Sequence, residues 1–322
     1  MSASANPSTQ WCPLPWSEWE QTANTLHMWT QIVGKTRLAL TPLQNHWWNV
    51  PLYVTAHGLG TSAMAYGSDV LDIEFDFVTH QLHFRLGSGP AIAMPLRPQT
   101  VADFYKEYLA ALESLGVAVK IDPMPCEQVN PIRVDLDTVH RSYDAEYAQR
   151  FWRVLVQADR IFHQFGTRFL GKVSPVHFFW GSFDLAVTRF SGRPAPPRDG
   201  ADGIQREAYS HEVISAGFWP GNGGYGAAAF YCYAAPVPAG LADASIRPAA
   251  AGWDATLGEF IFKYDALCAE PSPDQALLEF LQTSYAVAAD LAQWDRAALE
   301  RHSGYVQPLQ PGRPCPPPMR QS

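Results

Sequence analysis

Apolar residues first recur at helical spacing between Trp19 and Leu40, where Trp19, Ala23, Leu26, Trp29, Val33 and Leu40 share one stripe. Ser17-Glu-Trp-Glu20 ahead of them has the form of a capping box, in which the hydroxyl takes an N–H three residues on and the carboxylate reaches back. Pro42 closes this first helix. Gly34 weakens it locally and would suit the close approach of another backbone.

The period then changes to two. Trp47 to His57 is aromatic and β-branched, Leu71-Asp-Ile-Glu-Phe-Asp-Phe77 alternates strictly, and Leu82, Phe84 and Leu86 continue the pattern. A hairpin turning at Thr79-His80 sets Phe75 against Phe84 and Ile73 against Leu86, with Asp76 against His83 and Glu74 against Arg85 behind them. Asp72, Glu74 and Asp76 therefore read as a salt-bridged, solvated face and not as a cation site. Ala91 to Leu96 predicts a further strand. Thr100-Val-Ala-Asp103 opens a helix that carries Phe104, Tyr108, Leu112 and Leu115 and ends at Gly116.

A second round follows the same plan. Tyr147, Phe151, Leu155, Ala158, Phe162, Phe165 and Phe169 form the strongest helical stripe of the chain. Pro175 precedes a dense apolar strand from Val176 to Phe190. Strands are expected again at Glu212 to Trp219, Ala228 to Ala234 and Gly258 to Tyr264. Ser272-Pro-Asp-Gln275 starts the last helix, with proline at its first position and Leu277, Leu281, Ala288 and Leu291 facing the core.

The predicted fold class is α+β, two helix–antiparallel sheet–helix units packed as one unit. Trp29 and Trp152 hold corresponding places in the two long helices, and His46-Trp-Trp and His177-Phe-Phe-Trp open corresponding strand regions, which suggests a pseudo-duplication. The boundaries are an extension over 1–16, a first unit over 17–119 and a proline-broken linker over 120–142. The second unit covers 143–300 with a loop insertion at 191–208, and a proline-rich tail over 301–322 reads as disordered.

Composition adds a choice to this plan. Of the 322 residues 47% are hydrophobic, with 11 Trp, 13 Tyr and 17 Phe, which suits either a thick core or a cavity lined by flat rings. The charge of −8 is spread out and no Lys/Arg run exceeds two, which argues against nucleic acid or an anionic membrane as a partner. Met1 to Gln10 is neither basic nor apolar enough for a signal peptide, and no apolar run nears the roughly 18–20 residues of a membrane span. Cys12, Cys126, Cys232, Cys268 and Cys315 are isolated thiols, as in a reducing compartment, so a cytoplasmic location is expected.

Chemistry is sparse. Gly221-Asn-Gly-Gly-Tyr-Gly226 matches a dinucleotide fingerprint, but the strand-like Ala-Ala-Ala-Phe-Tyr-Cys-Tyr follows it where a helix is required, so it reads as a hairpin tip or a lid. Asp184 lies in an apolar strand and needs a cationic or hydrogen-bonding partner. Alternation places it with Phe178, Trp180 and Ser182, and places His177 and Arg189 on the other face, leaving Lys172, Arg168 or His211 as partners. His211-Glu212 could serve acid–base chemistry, although neighbours in a strand point apart. No metal-ligand spacing is present and no cofactor is expected.

The strings Leu26-His-Met-Trp-Thr-Gln-Ile-Val-Gly-Lys35, Asn45-His-Trp-Trp, Pro51-Leu-Tyr-Val-Thr, Ser174-Pro-Val-His-Phe-Phe-Trp-Gly-Ser-Phe-Asp-Leu-Ala-Val-Thr-Arg-Phe-Ser-Gly-Arg193 and Tyr209-Ser-His-Glu-Val-Ile-Ser-Ala-Gly-Phe-Trp-Pro-Gly221 are similar to an uncharacterised bacterial family, domain of unknown function 5996. The resemblance runs roughly from Trp11 to Glu300 and implies no reaction.

Three functional readings follow. The leading one is a small-molecule site in an aromatic-lined cavity, contacted by His177, Trp180, Arg189, Trp219, His46, Trp47 and Lys35. The second is a metal-independent enzyme using Asp184 with His211 or Glu212. The third is an interaction module or homodimer with Trp11, Trp16 and Trp19 exposed as a patch.

Overall fold

Every residue of the first helix, α1 (Trp16–Leu40), is buried from Thr25 to Arg37, so it runs through the middle of the molecule. The computed structural model describes residues 11–197 and 199–301. A helix buried on all sides must satisfy its polar side chains internally. Gln31 does so by bonding both N–H and C=O of Cys126 at 2.8 Å, and Lys35 donates to the Met124 carbonyl. The capping box expected at Ser17 is not used, because the helix begins two residues earlier, with Pro15 at the N-cap position.

The first sheet contains β1 (Tyr53–Val54), β2 (Gly58–Gly60), β3 (Met64–Tyr66), β4 (Asp69–Asp76), β5 (Gln81–Leu86) and β6 (Ala91–Pro95). Its order is β1-β2-β4-β5-β6, with β3 also on β4. α2 (Val101–Ser114) follows, its N-cap Thr100 accepting from the Asp103 N–H. α3 (Ala145–Thr167) opens the second unit and packs Phe151, Leu155, Ala158, Phe162 and Phe165 inward.

The second sheet holds β7 (His177–Phe179), β8 (Asp184–Pro194), β9 (His211–Trp219), β10 (Ala229–Ala235), β11 (Gly252–Asp254) and β12 (Glu259–Lys263). α4 (Gly203–Ala208) lies between β8 and β9, and α5 (Tyr264–Ala269), α6 (Pro273–Leu291) and α7 (Arg296–Leu299) are the last elements of the described residues. The strand order is β11-β12-β10-β9-β8-β7, antiparallel throughout. The protein is thus α+β, with two helix–antiparallel sheet–helix units. One hydrophobic core runs through both. Their sheets touch edge to edge, where Leu52 and Phe178 exchange both backbone hydrogen bonds at 2.9 Å.

Five local expectations are corrected. The hairpin register is shifted by two residues, Ile73 facing Phe84 and Phe75 facing Leu82, with Asp72 facing Arg85 and Glu74 facing His83. The Asp76 carboxylate accepts from the Val78 and Thr79 N–H groups at 2.8 Å and His80 is left-handed, so the turn takes four residues instead of two. A shift of two keeps every side chain on its face, and Arg85 still pairs, with both Asp72 and Glu74 at 2.8 Å. The strand expected over 47–57 shrinks to Tyr53–Val54, because 45–48 is a tight turn. The strand expected from Val176 to Phe190 is a hairpin that turns between Phe179 and Asp184, with Phe183 at φ 63°. The insertion 191–208, expected as a loop, carries the end of β8 and α4, while the linker 120–142 has no helix or strand and is strapped to α1 at Met124 and Cys126. Trp11 and Trp19 are in the core, so the aromatic patch required by the interaction reading is not formed. The tail from Pro308 and residues 1–10 lie outside the described residues.

Candidate functional site

The second sheet turns one face to α3 and α6 and the other to loops. Register puts Asp184, Ala186 and Thr188 of β8 on the loop face, beside Ser215 and Gly217 of β9 and Tyr231 and Tyr233 of β10. Three pieces of chain roof this face: the turn at 45–48, the strap at Cys126-Glu127, and the insertion with α4. Between floor and roof is a cavity of about 500 Å³. Trp47, Trp48, Phe179, Trp180, Tyr231 and Tyr233 supply most of its aromatic wall. A wider groove of about 830 Å³ between the starts of α1 and α2 is open, and Tyr143 is its one aromatic residue.

The polar groups of the floor bond to one another. Ser182 and Tyr231 donate from their hydroxyls to the two oxygens of Asp184 in short hydrogen bonds. Thr188 and Ser215 hydroxyls meet at 2.8 Å, and those of Tyr209 and Tyr233 at 3.0 Å. Burial holds the Asp184 carboxyl above the usual carboxylate range, against the pull of its two hydroxyl donors. Glu127 is raised by burial, then by the charges of Asp184 and Asp202.

Two glycines make room for this arrangement. A Cβ on Gly217 would lie 2.3 Å from the Tyr231 oxygen, so the phenol crosses bare backbone to reach Asp184. A Cβ on Gly34 would lie 2.3 Å from the Trp180 ring. What approaches α1 there is an indole and not another backbone. Its Nε1 donates to the Val50 carbonyl at 2.8 Å.

The roof is latched at His46, where two successive residues other than glycine, His46 and Trp47, are left-handed at φ 57° and 61°. The His46 N–H donates to the Glu207 carboxylate at 3.2 Å. Lys172 donates to His46 Nε2 at 2.7 Å, which leaves Nδ1 to carry the proton toward the Ala208 carbonyl at 3.3 Å. Burial and the neighbouring ammonium push the His46 pKa down, in keeping with this neutral ring.

Of the residues singled out by sequence, His46, Trp47, Trp180 and Asp184 come together at the cavity. The others do not. His177 shares the Asp184 face, because the hairpin pairs it with Ala186 and breaks the expected alternation. It is packed among Trp48, Tyr53 and Phe179 away from the cavity lining, and burial, then Arg37, lowers its pKa to about 3. Lys35 is used in holding the strap. Trp219 donates to Asn222 Oδ1 at 2.6 Å and packs on Tyr225, closing the glycine-rich hairpin. Arg189 sits on the helix side, fully buried, with its guanidinium 3.4 Å from the Phe165 ring centre and 4.2 Å from that of Tyr285.

The acid–base trio also fails to assemble. Glu212 points to the helix side and pairs with Arg193 at 2.6 Å, and His211 bonds the Ser210 hydroxyl at 3.1 Å. Asp184 takes hydroxyl partners, and neither Lys172, Arg168 nor His211 is among them.

A family model, the family of unknown function DUF5996, matches residues 11–301. The chain belongs to DUF5996. No curated protein and no solved structure matches it. In this DUF5996 chain the floor and all three roof segments of the cavity fall within the matched span.

Sequence reasoning missed Tyr231, Tyr233, Thr188, Ser215 and Glu127. The first four carried a signal, since polar groups two or four residues apart in apolar strands mark one face of a sheet. Glu127 carried none.

Two expected results arise here. Asp184→Asn should melt higher than the wild type at about pH 7, with the gap closing toward about pH 4. The sign follows from the raised Asp184 pKa: stability is complete while the acid is protonated and is lost as pH rises through the folded value. Thermal melts at both pH values check this. Arg189→Met should change stability by no more than about 1 kcal/mol, because the buried cation forms no ion pair among the described residues and methionine fills a similar volume. Chemical denaturation measures it, and a loss of several kcal/mol would contradict it.

Proposed function

We propose that the chain binds a small molecule with an apolar or aromatic body in the cavity beneath the second sheet. The observation that carries this reading is the cavity itself. Its volume of about 500 Å³ falls in the range of small-molecule sites. A largely apolar wall rich in aromatic rings, with a few convergent polar groups, is the pattern of such sites. Thr188, Ser215 and Tyr233 could orient a polar substituent. The proposed setting is the cytoplasm, supported by Cys12, Cys126, Cys232 and Cys268 as free thiols. Among the described residues no helix is long and apolar enough to cross a membrane.

A thermal-shift screen of small aromatic and alicyclic compounds tests the proposal, run in parallel on Ala186→Leu. Ala186 lies on the cavity floor, so the added carbons enter the cavity. Compounds that stabilise the wild type should lose most of their effect on the variant. Equal shifts for both proteins would place binding elsewhere.

A further inference from the structure

We propose that the occupant of the cavity is an organic cation, an amine or quaternary ammonium whose charge rests between Asp184 and Glu127 against the aromatic wall. This rests on the reading of the cavity as a ligand site and adds the ligand's charge.

The first ground is the charge carried by the wall. Glu127, Asp184 and Asp202 line the cavity, and among the described residues no Lys or Arg does. His46 is neutral by its hydrogen bonding, as argued above. Lys172 is held over the rings of Trp48 and Phe190 with its ammonium on His46, and it is not part of the lining.

The second ground is what Asp184 lacks. Its two oxygens receive one hydroxyl each, and among the described residues no positive group bears on it. Among the described residues the charges that bear on Glu127 are those of Asp184 and Asp202, all of one sign. Buried carboxylates without a counter-ion are costly, and each oxygen here has a lone pair to spare. A cation entering from the cavity would supply the missing charge and relieve the repulsion between the acids.

The third ground is the nature of the wall. Indole and phenol faces attract cations, most strongly where water is excluded. Trp48 and Phe190 already hold one, the Lys172 ammonium, at 5.0 and 4.9 Å from their ring centres. A metal ion is the poorer candidate. Among the described residues no three His, Cys, Asp or Glu side chains are placed to hold one. Dispersed carboxylates among ring faces suit a charge spread over an ammonium and its carbons.

Calorimetric titration with matched pairs tests this: phenethylamine against phenethyl alcohol, tryptamine against tryptophol, and 1-naphthylmethylamine against 1-naphthylmethanol. In at least one pair the amine should bind about tenfold or more tighter than the alcohol, a preference of the size expected for a desolvated ammonium on aromatic faces beside a carboxylate. In the Asp184→Asn/Glu127→Gln double variant that preference should fall to about threefold or less. An alcohol that binds as tightly as its amine overturns the cation and leaves the cavity reading standing. So does a preference that persists in the double variant, and so do neutral or anionic hits in the thermal-shift screen with no amine among them. If no compound of any charge binds, the cavity reading falls and this proposal with it. The wild-type comparison decides alone should the double variant fail to fold.

Discussion

Gly217→Ala is expected to destabilise the protein by about 3 kcal/mol, at the upper end of what overpacking a buried site costs. The new methyl carbon would lie 2.4 Å from the Leu185 carbonyl oxygen and 2.3 Å from the Tyr231 oxygen. The first belongs to the neighbouring strand, so it can move only by parting β8 from β9. The second can move, but only by leaving Asp184, which buries a carboxyl with half of its donors gone. The substitution should therefore harm the site as well as the fold. Any ligand of the cavity should bind the variant more weakly even at temperatures where it stays folded. Denaturation by urea and a titration at low temperature read the two effects separately. A variant as stable as the wild type would mean that Tyr231 does not lie across Gly217.

Trp29→Ala is expected to cost more, about 3–5 kcal/mol, as for other large aromatic residues deleted from a core. Trp29 is 0% exposed, and it stacks on Phe104 at 4.5 Å and on Tyr143 at 5.5 Å. It thereby joins α1 to α2 and to the start of the second unit. Its Nε1 has no partner, so the loss is one of packing and cavity formation and not of a hydrogen bond. Trp152, the tryptophan of α3, is half-buried and donates to the Thr55 carbonyl at 3.2 Å. Trp152→Ala should cost roughly half as much or less, since far less of that ring is buried. Equal costs would argue that the two tryptophans play equivalent parts.

Helices announced themselves through spacing, and α3 holds the stripe of Phe151, Leu155, Phe162 and Phe165 as expected. The alternation of β4 and β5 set which side chains share a face, and that survived a register error of two residues. Local turn chemistry was harder, because the Asp76 cap and the left-handed Phe183 add residues to turns that periodicity alone makes short or overlooks. The Phe183 turn changed the site most, by converting one apolar strand into a hairpin and bringing His177 to the Asp184 face.

The candidate site was half legible for the same reason. Asp184 and Trp180 stood out as isolated functional groups on apolar strands, and His46 and Trp47 through an aromatic cluster. Glu127 was hidden, because it reaches the cavity through a strap whose path depends on Gln31, Lys35 and the bare Gly181 beneath it. Such long-range placement has no local pattern. His46 and His177 both pack against Trp48, at 5.5 and 5.9 Å. One of them lines the cavity and the other is sealed beside it.

A crystallographic fragment screen with aromatic amines and their neutral counterparts tests the account most directly. It predicts fragment density inside the cavity, with a ring against Trp180 or Tyr233 and a nitrogen within hydrogen-bond reach of Asp184 or Glu127. Density confined to the outer surface, or a cavity found filled by the protein's own side chains, would contradict it.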